Sequence, residues 1–409
     1  MAAQASYRST SLLLLSPSSN SVNSADLNAS YGPSLAAALS AVAEGSRSQP
    51  RGSVLEVGLI CIQSKQHRPR PRANDFDRVQ RLVAGIYRLI CQICSKESIP
   101  TQGPDGVDAR VLLLAGEDQE LYEDGSDASI SEGPVASLHA LALSRRHWTT
   151  VYVPDGAQGD SVLRDFVSLT VRDSSSAQPP WKVRRVKAGK SPGSRAEDGE
   201  LAQDLIEKTR THHSVAVGGT FDHLHIGHKL LLTMTAFLVQ PSTRLDPKDR
   251  HLIVGITKDE LLKNKKYAEF LSSWQDRQED VADFLNTIVD FRPANDGQSE
   301  AKAAFKTTPS AAGLHAHLFP DLWIDYVELS DPFGPTVTDE SISALIISGE
   351  TRSGGQAVNT KRNEAGWASL DVFEVDVLDA AGQMLGDDSF LDKISSTAIR
   401  RLKAEGHDA

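Results

Sequence analysis

The apolar positions of the chain fall into two blocks. In the first, short apolar runs at Val54–Cys61, Arg110–Ala115 and Thr149–Val153 predict buried strands. Between the first two runs, Phe76–Cys94 carries Val79, Leu82, Val83, Ile86, Leu89, Ile90 and Ile93 at three- and four-residue intervals, the stripe of an amphipathic helix. In the second block, strand patterns at Ser214–Val217, His251–Ile256, Trp323–Leu329, Ala344–Ile347 and Val372–Leu378 alternate with helical patterns at His228–Leu238, Trp274–Val289, Gly354–Ala365 and Ser396–Lys403. Such alternation predicts an α/β fold: a Rossmann-like, doubly wound parallel sheet with ligands at the carboxyl ends of its strands. A separate amino-terminal α/β domain accompanies it.

Segments poor in such patterning set the expected boundaries. Residues 1–52, rich in Ser, Ala and Asn, read as disordered; 53–172 form the amino-terminal domain; 173–210, rich in Ser, Pro, Gly and Arg/Lys, are a linker; 211–403 form the second domain; 404–409 are a tail.

Composition narrows the function classes. The 409 residues are 40% hydrophobic and 24% charged, and no apolar run approaches the roughly 18–20 residues that span a bilayer. Three cysteines, Cys61, Cys91 and Cys94, are too few for a disulfide framework, and Arg8 is the only base among the first twenty-five residues, so a cytoplasmic location is expected. The net charge is −11; bases and acids balance over residues 1–200, so the excess lies in 201–409 and nucleic acid is not an expected partner. An acidic protein still binds a polyphosphate by gathering a few bases, backbone amides and Mg²⁺ at one point.

Two short motifs fail on inspection. Cys91-Gln-Ile-Cys94 lacks a second ligand pair for a metal and continues the apolar stripe of its helix. Gly189-Lys190-Ser191 ends like a phosphate-binding loop, but Arg184 stands where that loop needs glycine and Pro192 follows where its helix should run.

The candidate chemistry lies after the first strand of the second block. That strand breaks into Gly218-Gly219, and Thr220-Phe221-Asp222 lead into His225-Ile226-Gly227-His228 and a helix. Two glycines allow close approach to a phosphate, and the helix start offers free amides. The two histidines, with Gly227 between them, can donate hydrogen bonds to charge that develops on phosphate oxygens. Lys263, Lys265 and Lys266 follow the second strand, within reach of the same place. Ser395, Ser396 and Thr397 open the last helix, where hydroxyls and amides suit an anion, and Arg400 adds charge one turn on. Asn359 and Arg362 lie one turn apart on a helix face that could address the cleft.

With these residues in place, residues 211–403 resemble the eukaryotic and archaeal type of phosphopantetheine adenylyltransferase, among the nucleotidyltransferases with a His-x-Gly-His signature. Beyond Gly219–His228, the resemblance rests on Val254–Lys266, Asp331-Pro-Phe-Gly-Pro335, Ser348-Gly-Glu-Thr351, Ala357–Arg362 and Ile394–Arg400, in family order. It implies AMP transfer from ATP to 4′-phosphopantetheine, with Mg²⁺ accompanying the ATP. It further implies a fungal-like monofunctional form without the kinase domain fused in animal coenzyme A synthases, and other enzymes of coenzyme A synthesis as partners. By resemblance, His225, His228 and Lys265 are catalytic. Gly218, Gly219, Thr220, Phe221, His228, Ser395, Ser396, Thr397 and Arg400 bind ATP, while Thr220, Asp222, Lys263, Lys265, Lys266, Asn359 and Arg362 bind the second substrate. No protein-held metal is implied. Two alternatives stay open: a nicotinamide mononucleotide adenylyltransferase, and a non-catalytic scaffold of a coenzyme A-synthesising complex.

Overall fold

A computed structural model describes residues 8–16, 23–47, 52–62, 71–103, 105–116, 132–144, 146–172, 180–190, 210–242, 247–293, 307–310, 313–375 and 395–405. The amino-terminal half runs β1 (Ser9–Leu15), α1 (Ser24–Ser46), β2 (Ser53–Ile62), α2 (Phe76–Glu97), β3 (Val107–Ala115), β4 (Val135–Ala136), α3 (Leu138–Leu143), β5 (Trp148–Pro154), α4 (Ala157–Arg172) and β6 (Lys182–Val186). The carboxyl-terminal half runs β7 (Ser214–Gly219), α5 (Ile226–Leu238), β8 (Arg250–Thr257), α6 (Trp274–Val289), β9 (Thr307–Ser310), β10 (Gly313–Phe319), β11 (Leu322–Leu329), β12 (Ala344–Ser348), α7 (Arg352–Glu364), β13 (Asp371–Val375) and α8 (Ser396–Ala404).

The first sheet has the order β4-β3-β2-β1-β5-β6, with every pairing parallel. Its central strand corrects the expectation of a disordered stretch over residues 1–52. Leu12, Leu13, Leu14 and Leu15 are buried between β2 and β5, as an uninterrupted apolar run should be in a parallel strand covered on both faces. Helix α1 also belongs to the core. Its stripe is narrow and set among small residues, yet Leu27, Tyr31, Leu35, Leu39 and Val42 recur at helical spacing and are all buried.

Part of the expected linker is ordered as well. Strand β6 closes the sheet beside β5, and Lys187–Lys190 then run along α1. Pro33 lies inside α1 and has no N–H to give the carbonyl of Ala29, four residues earlier. The Lys190 N–H takes that place at 2.9 Å, and Ser34 Oγ donates to the Lys187 carbonyl at 2.9 Å. A side chain at Gly189 would put its Cβ about 2.0 Å from the Ser30 carbonyl oxygen, so this crossing requires glycine. The glycine of the failed phosphate-loop motif thus serves backbone packing. The two thiols of the Cys-x-x-Cys pair are buried, and burial pushes both up to about 12.

The second sheet has the order β13-β12-β7-β8-β11-β10-β9. Strands β13 to β11 are parallel, as expected, whereas β9 and β10 add an antiparallel edge from a segment without a strand prediction. The two sheets do not keep separate cores. One contiguous apolar cluster holds residues of both, because α5 is buried almost all round, from Ile226 and Leu230 to Leu238. Phe76 of α2 packs against Phe373 of β13 with ring centroids 4.8 Å apart, and Arg72 lies over the Phe237 ring while donating to the Val239 carbonyl. A helix apolar on every face must be covered on every face. The amino-terminal half supplies the cover that the second sheet cannot.

Candidate functional site

Strand β7 sits between β8 and β12, where the strand order reverses, and its Gly-Gly end opens the crevice where such sheets bind ligands. The next residues turn sharply. Among the described residues four non-glycines have positive φ, and three belong here: Phe221 (52°), His223 (47°) and Tyr267 (56°). Each left-handed residue costs roughly 1–2 kcal/mol, so the surroundings must hold the turn in place. Asp222 does so from the inside. It is fully buried, accepts from the Ser272 N–H at 3.1 Å and pairs with Arg400 Nη1 at 2.5 Å.

The turn delivers the two histidines. His225 caps α5, its Nδ1 accepting from the Gly227 N–H at 3.2 Å. An accepting Nδ1 leaves the neutral ring with its proton on Nε2, so the cap fixes the tautomer. His228 stacks on His225 with ring centroids 3.9 Å apart, and Phe221 packs against it at a tilt, with centroids 5.3 Å apart. Among the described residues, no group bonds to His228 Nδ1. Burial lowers His225 to about 4, with the Lys229 charge adding to the effect, and holds His228 well below its ordinary value with the help of His225 and His223. Both rings are neutral donors at pH 7 in the free protein.

The lysines sort themselves by position. Lys265 Nζ reaches Thr220 Oγ1 at 3.5 Å, beside the histidine turn. Lys263 instead lines an open hollow of about 460 Å³ with Leu262 and Glu269. The side chain of Lys266 is exposed, and its carbonyl accepts from Arg400 Nε at 3.1 Å. Helix α8 docks against the same turn, with Ser395 capping Ala398 N–H and Ser396 Oγ donating to the Asp222 carbonyl at 2.8 Å.

Several expected ligand contacts are corrected by this arrangement. Asp222 and Arg400 neutralise one another out of solvent, and Arg400 also donates to Thr397 Oγ1. Neither is free to meet a substrate. Phe221 is fully buried and offers a ligand no exposed surface; its ring packs against His228 instead. Arg362 is 2% exposed and donates to the carbonyls of Thr336, Asp339, Glu340, Ile342 and Ala368, while Asn359 bonds both ways to the backbone of Leu370. These two fasten α7 to the loops before β12 and β13; they do not face the crevice. Gly218, Gly219, Thr220, His225, His228 and Lys265 come together with exposed atoms, and Ser395, Ser396 and Thr397, also partly exposed, border the same turn.

One participant escaped sequence reasoning. Arg277 of α6 is fully buried, and its guanidinium donates to the carbonyls of Thr220 (2.6 Å), Thr257 (2.8 Å) and Ser272 (3.1 Å) and to Asp259 (2.6 Å). It ties the phosphate-loop candidate, the end of β8 and the start of the lysine loop to one point. In Trp-Gln-Asp-Arg-Gln-Glu-Asp it looks like one more charge on a polar helix start. Only its helical spacing to Val281 and Phe284 hinted that it faces inward.

Comparison with known proteins agrees with the geometry. Residues 216–402 match the family described as Cytidylyltransferase-like, and residues 1–192 match a domain of unknown function, DUF8446. An uncharacterized protein of Schizosaccharomyces pombe is 38% identical over 190 residues, 46% of this chain and 48% of that protein. The phosphopantetheine adenylyltransferase of Saccharomyces cerevisiae is 36% identical over 190 residues, again 46% and 48%. That of Pyrococcus abyssi is 30% identical over 186 residues, 46% of this chain and 87% of the archaeal protein. The chain thus spans about half the length of the two yeast relatives and most of the archaeal one. With a glycine turn at the sheet's switch point and relatives of this kind, the chain belongs to the cytidylyltransferase-like nucleotidyltransferases.

Proposed function

We propose that the protein transfers AMP from ATP to 4′-phosphopantetheine, forming dephospho-coenzyme A and pyrophosphate. The stacked His225–His228 pair, held at the end of β7 with Lys265 at Thr220, carries the reading. A phosphate oxygen of phosphopantetheine attacks the α-phosphorus of ATP in line, and the bond from that phosphorus to the β-phosphate oxygen breaks as pyrophosphate departs. Such a displacement needs positioning and charge stabilisation more than covalent help. His228 donates to the α-phosphate as its charge redistributes, and His225, protonated on Nε2, donates to the departing phosphates. Thr220 Oγ and Lys265 hold the incoming phosphate. The names of the budding-yeast and archaeal relatives support phosphopantetheine as the acceptor.

Mg²⁺ bound with the triphosphate would offset its charge. Asp222 and Asp259, beside the two loops, are already engaged by Arg400 and Arg277, so such an ion would draw its ligands from phosphate and water, as suits a hard cation. The test is pyrophosphate release by the full-length protein with Mg²⁺-ATP and either acceptor. Turnover with phosphopantetheine alone is expected. Turnover with nicotinamide mononucleotide instead, or with neither, would sink the proposal in favour of the other adenylyltransferase or of a scaffold.

A further inference from the structure

Lys229 follows His228 directly, and the helical step of about 100° turns it away from the crevice. It is 5% exposed, and its Nζ donates to the Asp108 carboxylate and, at 3.0 Å, to the Ala109 carbonyl. Both acceptors lie on β3 of the amino-terminal half. The Asp108 carboxylate also accepts from Arg110 at 2.8 and 3.0 Å, and Arg8 approaches it to 3.6 Å. Arg110, on the same face of β3 two residues later, continues to α6: it donates to Asp283 at 2.7 Å and to Thr287 Oγ1 at 2.6 Å. Helix α6 is the one whose Arg277 grips the Thr220 carbonyl. Asp108 therefore holds the helix that carries His228, and Arg110 holds the helix that secures the phosphate loop.

Stability alone does not explain this cluster. Buried ion pairs seldom outperform well-packed apolar residues, and their best-attested use is to fix register. The surrounding joint is apolar already. We propose that Asp108 and Lys229 are positioning residues, through which the amino-terminal half sets the orientation of the His225–His228 pair against Thr220 and Lys265. For its kinetic readout the inference rests on the proposed adenylyl transfer; its spectroscopic readout does not.

The test uses the full-length protein and three variants: Asp108→Asn, Lys229→Met and Lys229→Arg. Asp108→Asn and Lys229→Met should each lower kcat about tenfold while KM for ATP stays within about twofold, since small misplacements of reacting groups are costly. Lys229→Arg should recover most of kcat. A second readout follows the imidazole signals of selectively labelled histidines against pH. His225 faces Lys229, Asp222 and His223 and stacks on His228, which in turn faces Lys265. Lys229→Met removes a cation beside it and should move its titration upward, whereas Asp108→Asn leaves that cation uncompensated and should move it downward. A pair without electrostatic reach to the histidines would, broken from either side, leave their signals unmoved or shift them the same way. Wild-type kcat in both disruptive variants, or unmoved or same-direction signals, would overturn the proposal. So would kcat that follows the melting temperature with Lys229→Arg no better than Lys229→Met. Should Asp108→Asn not fold, Lys229→Met against Lys229→Arg decides by kcat and by the upward titration shift. A wild-type protein inactive with phosphopantetheine counts against the proposed reaction only, and the histidine titrations still decide this inference.

Discussion

The two sheets share a winding order. β3-β2-β1-β5-β6 in the first half and β11-β8-β7-β12-β13 in the second each put the first strand in the middle, with later strands added on both sides. Yet the candidate chemistry gathers on one of them. At the end of β7 the chain supplies glycines, an exposed lysine and two stacked imidazoles. In the first half, the charged groups Asp108, Arg110 and Arg146 face the joint. Topology makes a crevice, and side chains decide whether it does anything. In this molecule one sheet carries the candidate site and the other holds its neighbour.

The harshest way to break that comparison is to separate the halves. A fragment starting at Arg210 bares one side of α5 and is expected to aggregate or to unfold without a sharp urea transition. A cooperatively folding fragment with full turnover would show that the first sheet holds nothing. Next, Phe76→Ala removes a ring that spans the joint against Phe373. It should cost about 3–5 kcal/mol and shift a single transition seen by fluorescence and circular dichroism alike. Two separate transitions would mean that the sheets are independent domains after all.

His228→Ala tests the candidate site. With the fold intact by circular dichroism, kcat should fall about 10²–10³-fold, the usual loss for a donor to developing oxyanion charge. A fall below tenfold would remove His228 from its assigned role. The gentlest probe is pH. His225 is lowered from 6.5 to about 4 in the folded state, so the unfolded chain binds the extra proton between those values. Stability from this group is full above 6.5 and is lost as pH falls towards 4. Burial works against Asp108 as an anion, but Arg110 and Lys229 outweigh it and hold the carboxyl well below the usual range, so its contribution fades only in stronger acid. Urea midpoints that rise from pH 4 to 7 would agree; a flat profile would deny that the histidines are buried neutral.

How much of this was legible depended on whether a partner lay nearby in the sequence. Trp274–Val289 and Ala344–Ile347 emerged as read, to within a residue, because local periodicity determines them. The histidine turn was legible because strand, glycines and helix start follow in one short run. Strand β1 was not, since four leucines among serines give no helical stripe and no alternation, and only a parallel sheet around them explains the run. Arg362 and Arg277 were misread or missed for one reason. A guanidinium that collects carbonyls from distant loops has the same sequence signature as one in water. The joint was illegible altogether, for Asp108 and Lys229 stand 121 residues apart.

Pro33 shows what a missing donor can encode. By withholding one N–H from α1 it leaves the Ala29 carbonyl without its usual helical partner, and that gap serves as an address which the Lys190 amide finds across 160 residues of chain. Restoring the helix's own bond with Pro33→Ala would, by this logic, improve α1 in isolation and evict its visitor. A repair judged by local propensity would then erase long-range information, which here is written as an omission.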